Sequence, residues 1–190
     1  KKKTEKCGKL RLVLKKGRYF VESPHEHILE KLLNNNEIFD CRIKSDDLKY
    51  DRRGFIVEKL VHEQIEISGM SNKRVNLNKA VGLDTNEDND TEIIEEVLSF
   101  EISEEKLETV KRKCNDLGYP CVEEYDFRND KKNENLSMSL KSIAKHRPYQ
   151  EKSLSKMFGN GRARSGLIVL PCGAGKTLVG VTAVCTIKKS

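Results

Sequence analysis

The chain has 190 residues, 36% hydrophobic and 35% charged, which is room for one or two domains but polar enough that part of it is expected to stay outside any core. No run of about 18 apolar residues occurs, and Lys1, Lys2 and Lys3 lead into polar residues instead of an apolar signal core, so a soluble, intracellular protein is expected. The net charge of +6 is unevenly spread: residues 1–20 carry nine Lys or Arg against one Glu, and residues 141–190 carry ten against one, around an acidic middle. Two basic ends suit a partner made of phosphates, although solvated lysines explain the first six residues equally well.

In chain order, Leu10, Val13 and Leu14 precede Lys15, Lys16, Gly17 and Arg18, and Tyr19, Phe20 and Val21 follow, which predicts a hairpin around a glycine turn. Lys15, Lys16 and Arg18 at its tip are candidates for gripping a DNA backbone. A polar turn is the plainer reading, and Tyr19 and Phe20 are assigned first to the core. Ser23, Pro24 and Glu26 read as a capping box that starts a helix with Ile28, Leu29, Leu32 and Leu33 on one face, ended by Asn34, Asn35 and Asn36. His25 and His27 in its first turn are expected at the surface. Ile38, Phe39, Cys41 and Ile43 suggest a strand, and residues 55–61 another.

Residues 67–92 turn to Asn, Asp, Lys and Ser, ending in Asp84-Thr-Asn-Glu-Asp-Asn-Asp90. Such a stretch has too little apolar area to order itself and is expected to be a disordered acidic insertion, in preference to an acidic binding tail. Residues 97–102 read as a strand. Ser103 then caps a helix with Glu104 and Glu105 in its first turn and Leu107, Val110 and Cys114 on its apolar stripe, ended by Gly118. Residues 122–127 form a further strand, so residues 1–135 are expected to make a small α+β domain interrupted by the insertion.

After a charged linker at 129–135, residues 143–148 lead into a helix with Leu154, Met157 and Phe158 on one side. The turn that follows carries Arg162 and Arg164, which could touch DNA or a partner or could simply be solvated. Leu167, Ile168, Val169 and Leu170 form an unbroken apolar run, as a strand buried on both faces of a parallel sheet would, and the segment after Thr177 is apolar nearly all round.

Between them lies Leu170-Pro-Cys-Gly-Ala-Gly-Lys-Thr177. Gly173 and Gly175 lack Cβ atoms, which lets the backbone take positive φ and turn its N–H groups toward phosphate oxygens, while the following helix adds the positive end of its dipole. Lys176 would reach the β and γ phosphates, and Thr177 would give its hydroxyl to a nucleotide-bound Mg²⁺. The pattern is incomplete at its first position, where Leu170 stands in place of glycine. With ATP as ligand the compartment is reducing, and the six cysteines, none spaced as Cys-x-x-Cys, are expected to be free thiols.

The run Arg147-Pro-Tyr-Gln-Glu-Lys-Ser-Leu, then Lys156-Met-Phe-Gly-Asn-Gly-Arg-Ala-Arg-Ser-Gly, then Ile168-Val-Leu-Pro-Cys-Gly-Ala-Gly-Lys closely resembles the XPB family of superfamily 2 helicases, the DNA-translocating ATPase subunits of TFIIH. Thinner likeness extends through Glu124-Tyr-Asp-Phe-Arg-Asn-Asp130 and Gly17-Arg-Tyr-Phe-Val-Glu-Ser23. The resemblance implies that residues 136–190 open the first RecA-like motor domain and that the front domain is associated with DNA and damage recognition. It further implies ATP and Mg²⁺ as cofactors, DNA and other TFIIH subunits as partners, and a nuclear location. In helicases of this superfamily a glutamine ahead of the P-loop reads the adenine edge, and Gln150, after Arg147 and Pro148, matches that element; its amide offers the donor and acceptor the base needs.

The residues after Thr177 include no Asp or Glu, whereas phosphoryl transfer needs an acidic group for Mg²⁺ and water. The chain is therefore expected to be the amino-terminal part of a longer XPB-like protein and inactive alone. The competing expectation is a binding module for DNA or a TFIIH subunit with a vestigial P-loop. A small nucleotide kinase would place its loop at the start of the chain.

Overall fold

Two residues join the first two strands, and both sit at positive φ, Lys16 at 51° and Gly17 at 75°, the backbone a two-residue hairpin needs to match the twist of its strands. They link β1 (Leu10–Lys15) to β2 (Arg18–Ser23) in the computed structural model, which describes residues 10–61, 67–70 and 94–190. β3 is Arg42–Ile43, β4 Ile56–Val61, β5 Ile94–Ile102 and β6 Cys121–Tyr125. β2 pairs antiparallel with β5, β5 carries both β3 and β4 antiparallel on its other edge, and β1 pairs parallel with β6.

Alternation along these strands makes two different faces. Leu10, Leu12, Val21, Leu98, Phe100 and Ile102 point to one side. There they meet α1 (Glu26–Leu33) through Ile28, Leu29 and Leu32, α2 (Asn36–Phe39) through Ile38, and α3 (Leu107–Asp116) through Val110 and Cys114. Each large side chain so buried contributes about 1.5–3 kcal/mol from area removed from water. The resulting unit is a mixed sheet with its helices packed on it, the α+β arrangement expected.

Several local expectations give way to the ladder. Ser23 does not cap α1, because its backbone pairs with Leu98 at the end of β2; its hydroxyl instead accepts the His25 N–H at 3.1 Å and His25 takes the cap position. The strand expected across Ile38, Phe39, Cys41 and Ile43 is helix at Ile38 and Phe39, a turn at Cys41 and strand only at Ile43. Asn35 accepts from the N–H groups of Glu37 and Ile38 and starts α2, leaving only Arg42 and Ile43 to pair with β5. Ser103 precedes a single 3₁₀ turn, Glu104–Lys106, which leads into α3 without a side-chain cap.

Residues 67–70 and 126–190 belong to a second unit. It holds α4 (Pro148–Met157) and α5 (Lys176–Ile187), with Phe127 and Phe158 packed edge to face, their ring centroids 6.1 Å apart. Apart from residues 67–70, a turn with Ile67 buried, the expected insertion lies outside the described residues. The apolar run at 167–170 is not a strand: Leu167 is 89% and Val169 81% exposed. A parallel strand needs neighbours for its N–H and C=O groups, and none of the described strands runs beside it. The five cysteines among the described residues are free thiols. No described helix is long and apolar enough to cross a membrane.

Candidate functional site

The loop from Leu170 to Thr177 is built by its glycines and held by α4. Gly173 and Gly175 take φ of 75° and 77°. A Cβ on Gly173 would meet nothing, whereas one on Gly175 would lie 2.6 Å from Gln150 Nε2. Glycine at 175 is thus required twice, by its backbone angle and by close approach of a side chain. Gly175 occupies the cap position of α5, whose first residues are Lys176 and Thr177.

At that helix end the N–H groups of Gly173, Gly175, Lys176 and Thr177 find no backbone acceptor among the described residues. Pro171, Cys172, Gly173, Gly175, Lys176 and Thr177 are exposed, with Ala174 buried beneath them. Orphan donors at the positive end of a helix dipole form a site for an anion. Lys176 folds back and donates to the carbonyls of Leu170 at 3.1 Å and Pro171 at 3.0 Å. These exposed bonds can be exchanged for a phosphate oxygen at little cost. Donors, an exposed ammonium and the Thr177 hydroxyl together fit a nucleoside triphosphate with its Mg²⁺.

Gln150 is 2% exposed and all its amide atoms are engaged. Its Oε1 accepts the Arg147 N–H at 2.8 Å, closing the cap of α4, and its Nε2 donates to the carbonyls of Ala174 at 2.9 Å and Gly175 at 3.2 Å. Tyr149 donates its hydroxyl to the same Ala174 oxygen at 3.0 Å, and Arg147 Nη1 donates to Tyr149 at 3.3 Å. Tyr149 and Gln150 therefore hold the loop directly and Arg147 bonds both of them, but the Gln150 amide is committed to the backbone. Tyr149 carried no role in the sequence reading; a tyrosine one residue before the glutamine was the only available signal.

The basic candidates separate by environment. Lys15 is 8% exposed, with Nζ 2.9 Å from Glu22, a fully buried carboxylate that also takes Arg11 at 3.2 Å. Arg18 bonds both oxygens of Asp47 and faces Glu101 at 3.5 Å. Asp47 is held below the usual carboxylate range, chiefly by the hydrogen bond from Arg18. Of the three, Lys16 alone stands exposed at the turn. Arg162 is 3% exposed and Arg164 half-buried, and both hold interactions, so neither is the solvated loop residue that was one of the expectations.

No family model matches the chain. It is 49% identical over 190 residues, 96% of its length, to the "General transcription and DNA repair factor IIH helicase/translocase subunit XPB/SSL2" of Saccharomyces cerevisiae. To the corresponding XPB1 subunit of Arabidopsis thaliana it is 50% identical over 189 residues, and to the XPB subunit of Dictyostelium discoideum 48% over 198 residues, each across 98% of this chain. The chain spans about a quarter of the length of these relatives, 22% to 25%.

Proposed function

We propose that this chain, an XPB-type sequence along almost all its length, serves as part of an ATP-dependent DNA helicase/translocase of TFIIH, acting in RNA polymerase II transcription initiation and nucleotide excision repair in the nucleus. The observation that carries the nucleotide part is the set of orphan amides at Gly173, Gly175, Lys176 and Thr177 beside the exposed Lys176 ammonium. On this reading residues 136–190 open a RecA-like motor domain, and residues 1–135 form the DNA-associated front domain.

When bound, Mg·ATP supplies the scissile phosphoanhydride. Toward it the loop amides would cradle phosphate oxygens, Lys176 would leave the Leu170 and Pro171 carbonyls for the β and γ phosphates, and Thr177 would be the hydroxyl ligand of the metal. Gln150 would read the adenine edge by releasing one of its two donated bonds, with Arg147 beside it. Phosphoryl transfer also needs carboxylates to hold metal and water, and the sequence has no Asp or Glu after Glu151. The 190 residues are therefore expected to hold nucleotide without turning it over. On the DNA side, DNA and other TFIIH subunits are the partners, and Lys16 is the hairpin residue offered to phosphate. Lys15, Arg18, Arg162 and Arg164 would have to exchange internal partners first.

A steady-state ATPase assay with and without DNA tests the proposal alongside nucleotide binding. Binding without turnover, lost in Lys176→Ala, is expected. Turnover that Lys176→Ala eliminates would overturn the division of labour, and a folded chain that binds no nucleotide would favour a binding module with a vestigial loop.

A further inference from the structure

The helix that begins with Lys176 is anchored at its start by Gln150 on the loop, yet Val181 and Val184 on its outer side are 43% and 46% exposed. Its other half is held by an element from a distant stretch of sequence. Residues 67–70 form a turn, closed by the Met70 N–H donating to the Ile67 carbonyl at 3.1 Å, with Ile67 6% exposed. The Ser68 N–H donates to Thr186 Oγ1 at 3.2 Å across 118 residues of sequence.

Thr186 passes the connection inward, donating to the Thr182 carbonyl at 2.8 Å, and the fully buried Thr182 hydroxyl shares a 2.6 Å hydrogen bond with His146 Nε2. Gly69 sits at φ +76°, and a Cβ there would lie 2.5 Å from Leu140 Cδ2 and 3.2 Å from His146 Cε1. The turn approaches its seat as closely as a chain without a side chain can. His146, Thr182 and Thr186 thus join three segments at one point, just ahead of α4 on one side and along α5 on the other.

We propose that the turn at residues 67–70 is an intrachain strap that fixes α5, and with it the direction in which the loop presents Lys176 and Thr177, with Thr186, Thr182 and His146 as positioning residues. The strap's effect on ligand rests on the nucleotide reading above; its effect on the helix does not. Sequence alone hid it, because residues 67–70 lie in a polar stretch between β4 and β5, far from the loop they support.

The test compares the 190-residue chain with Thr186→Val, which keeps shape and loses the acceptor, Thr186→Ser, which restores it, and Gly69→Ala, which forces the turn off its seat. Hydrogen exchange at Ser68 and along α5 is read together with the affinity for a fluorescent ATP analogue. Thr186→Val and Gly69→Ala are expected to speed exchange of Ser68 and of α5 and to weaken binding about three- to tenfold, with Thr186→Ser close to the parent chain. Unchanged exchange of α5 in both damaging variants would overturn the strap. Faster exchange with unchanged affinity would overturn its positioning role. If the parent chain bound no analogue at all, the nucleotide reading would fail, and the exchange arm would still decide whether α5 is strapped.

Discussion

Gln150 Nε2 lies 2.9 Å from the Ala174 carbonyl oxygen, so a side chain on α4 holds the backbone of the phosphate loop 24 residues away. The same amide caps its own helix through Arg147, and its partner carbonyl is shared with Tyr149. One residue therefore closes a helix cap and shapes a loop, and changing it is expected to act on both.

Replacing Gln150 by Ala removes three hydrogen bonds and takes the acceptor from the Arg147 N–H, while the Ala174 carbonyl keeps Tyr149 and the Gly175 carbonyl keeps the N–H groups of Leu178 and Val179. The expected cost is about 1–3 kcal/mol of stability, with weaker nucleotide binding and a relaxed preference for ATP over GTP. Gln150→Glu separates the contributions. It keeps the acceptor for the Arg147 N–H but sets a carboxylate against two carbonyl oxygens, so it should lose the loop contact while retaining the cap. Competition of ATP and GTP for the chain, followed alongside thermal unfolding, reads both effects. Unaltered base selectivity in Gln150→Ala would remove adenine reading from this residue.

Lys176→Ala should eliminate nucleotide binding and leave the fold intact. The side chain is exposed and bonds only the Leu170 and Pro171 carbonyls of its own loop, so a stability change within about 0.5 kcal/mol is expected by urea unfolding. A large loss of stability would mean that the lysine holds the loop together and is not held ready for a ligand.

On the first unit, Glu22 is fully buried between Arg11 and Lys15. Glu22→Ala leaves two buried cations with only their outer partners and should destabilise the chain by about 3 kcal/mol. The DNA question follows from the same geometry. Lys16→Glu should weaken binding to unrelated duplexes about equally and lower its salt dependence without disturbing the fold, whereas Lys15→Glu should unfold the sheet before it informs on DNA. Intact binding and salt slope in folded Lys16→Glu would assign that residue to solvent.

Asp47 titrates low because Arg18 donates to it. A depressed folded-state value means that the pair's stabilisation is present above the unfolded carboxylate value, about 3.9, and is lost as pH falls through the lower folded value. The pair should therefore be indifferent to pH between about 5 and 8 and weaken only below about 4. Carboxylate shifts followed by NMR should place the Asp47 midpoint below that of an unpaired aspartate, and Arg18→Gln should raise it. No change in Arg18→Gln would remove the hydrogen bond as the cause.

Local patterns with a single physical meaning were legible in the sequence: the hairpin around Lys16 and Gly17, the apolar face of Ile28, Leu29 and Leu32, and the glycines at 173 and 175. Misreadings came where long-range pairing decides. Ser23 reads as a cap until Leu98 claims its backbone, and Phe39 reads as strand until Asn35 caps a helix beneath it. The partners of Lys15 and Arg18 were not legible at all, because Glu22, Glu58, Asp47 and Glu101 come from other strands and a loop. Leu167 and Val169 carry the composition of a buried strand, but a strand is defined by neighbours and composition alone cannot supply them.

The central claim is that the amides from Gly173 to Thr177 and the Lys176 ammonium receive the phosphates of a nucleotide. Titrating the ¹⁵N-labelled 190-residue chain with Mg·ATP measures this directly, residue by residue. The account predicts saturable shifts of the Gly173, Gly175, Lys176 and Thr177 amides, with smaller ones at Gln150, all absent in Lys176→Ala. A folded chain whose loop amides do not respond to Mg·ATP, or respond equally when Lys176 is alanine, would contradict it.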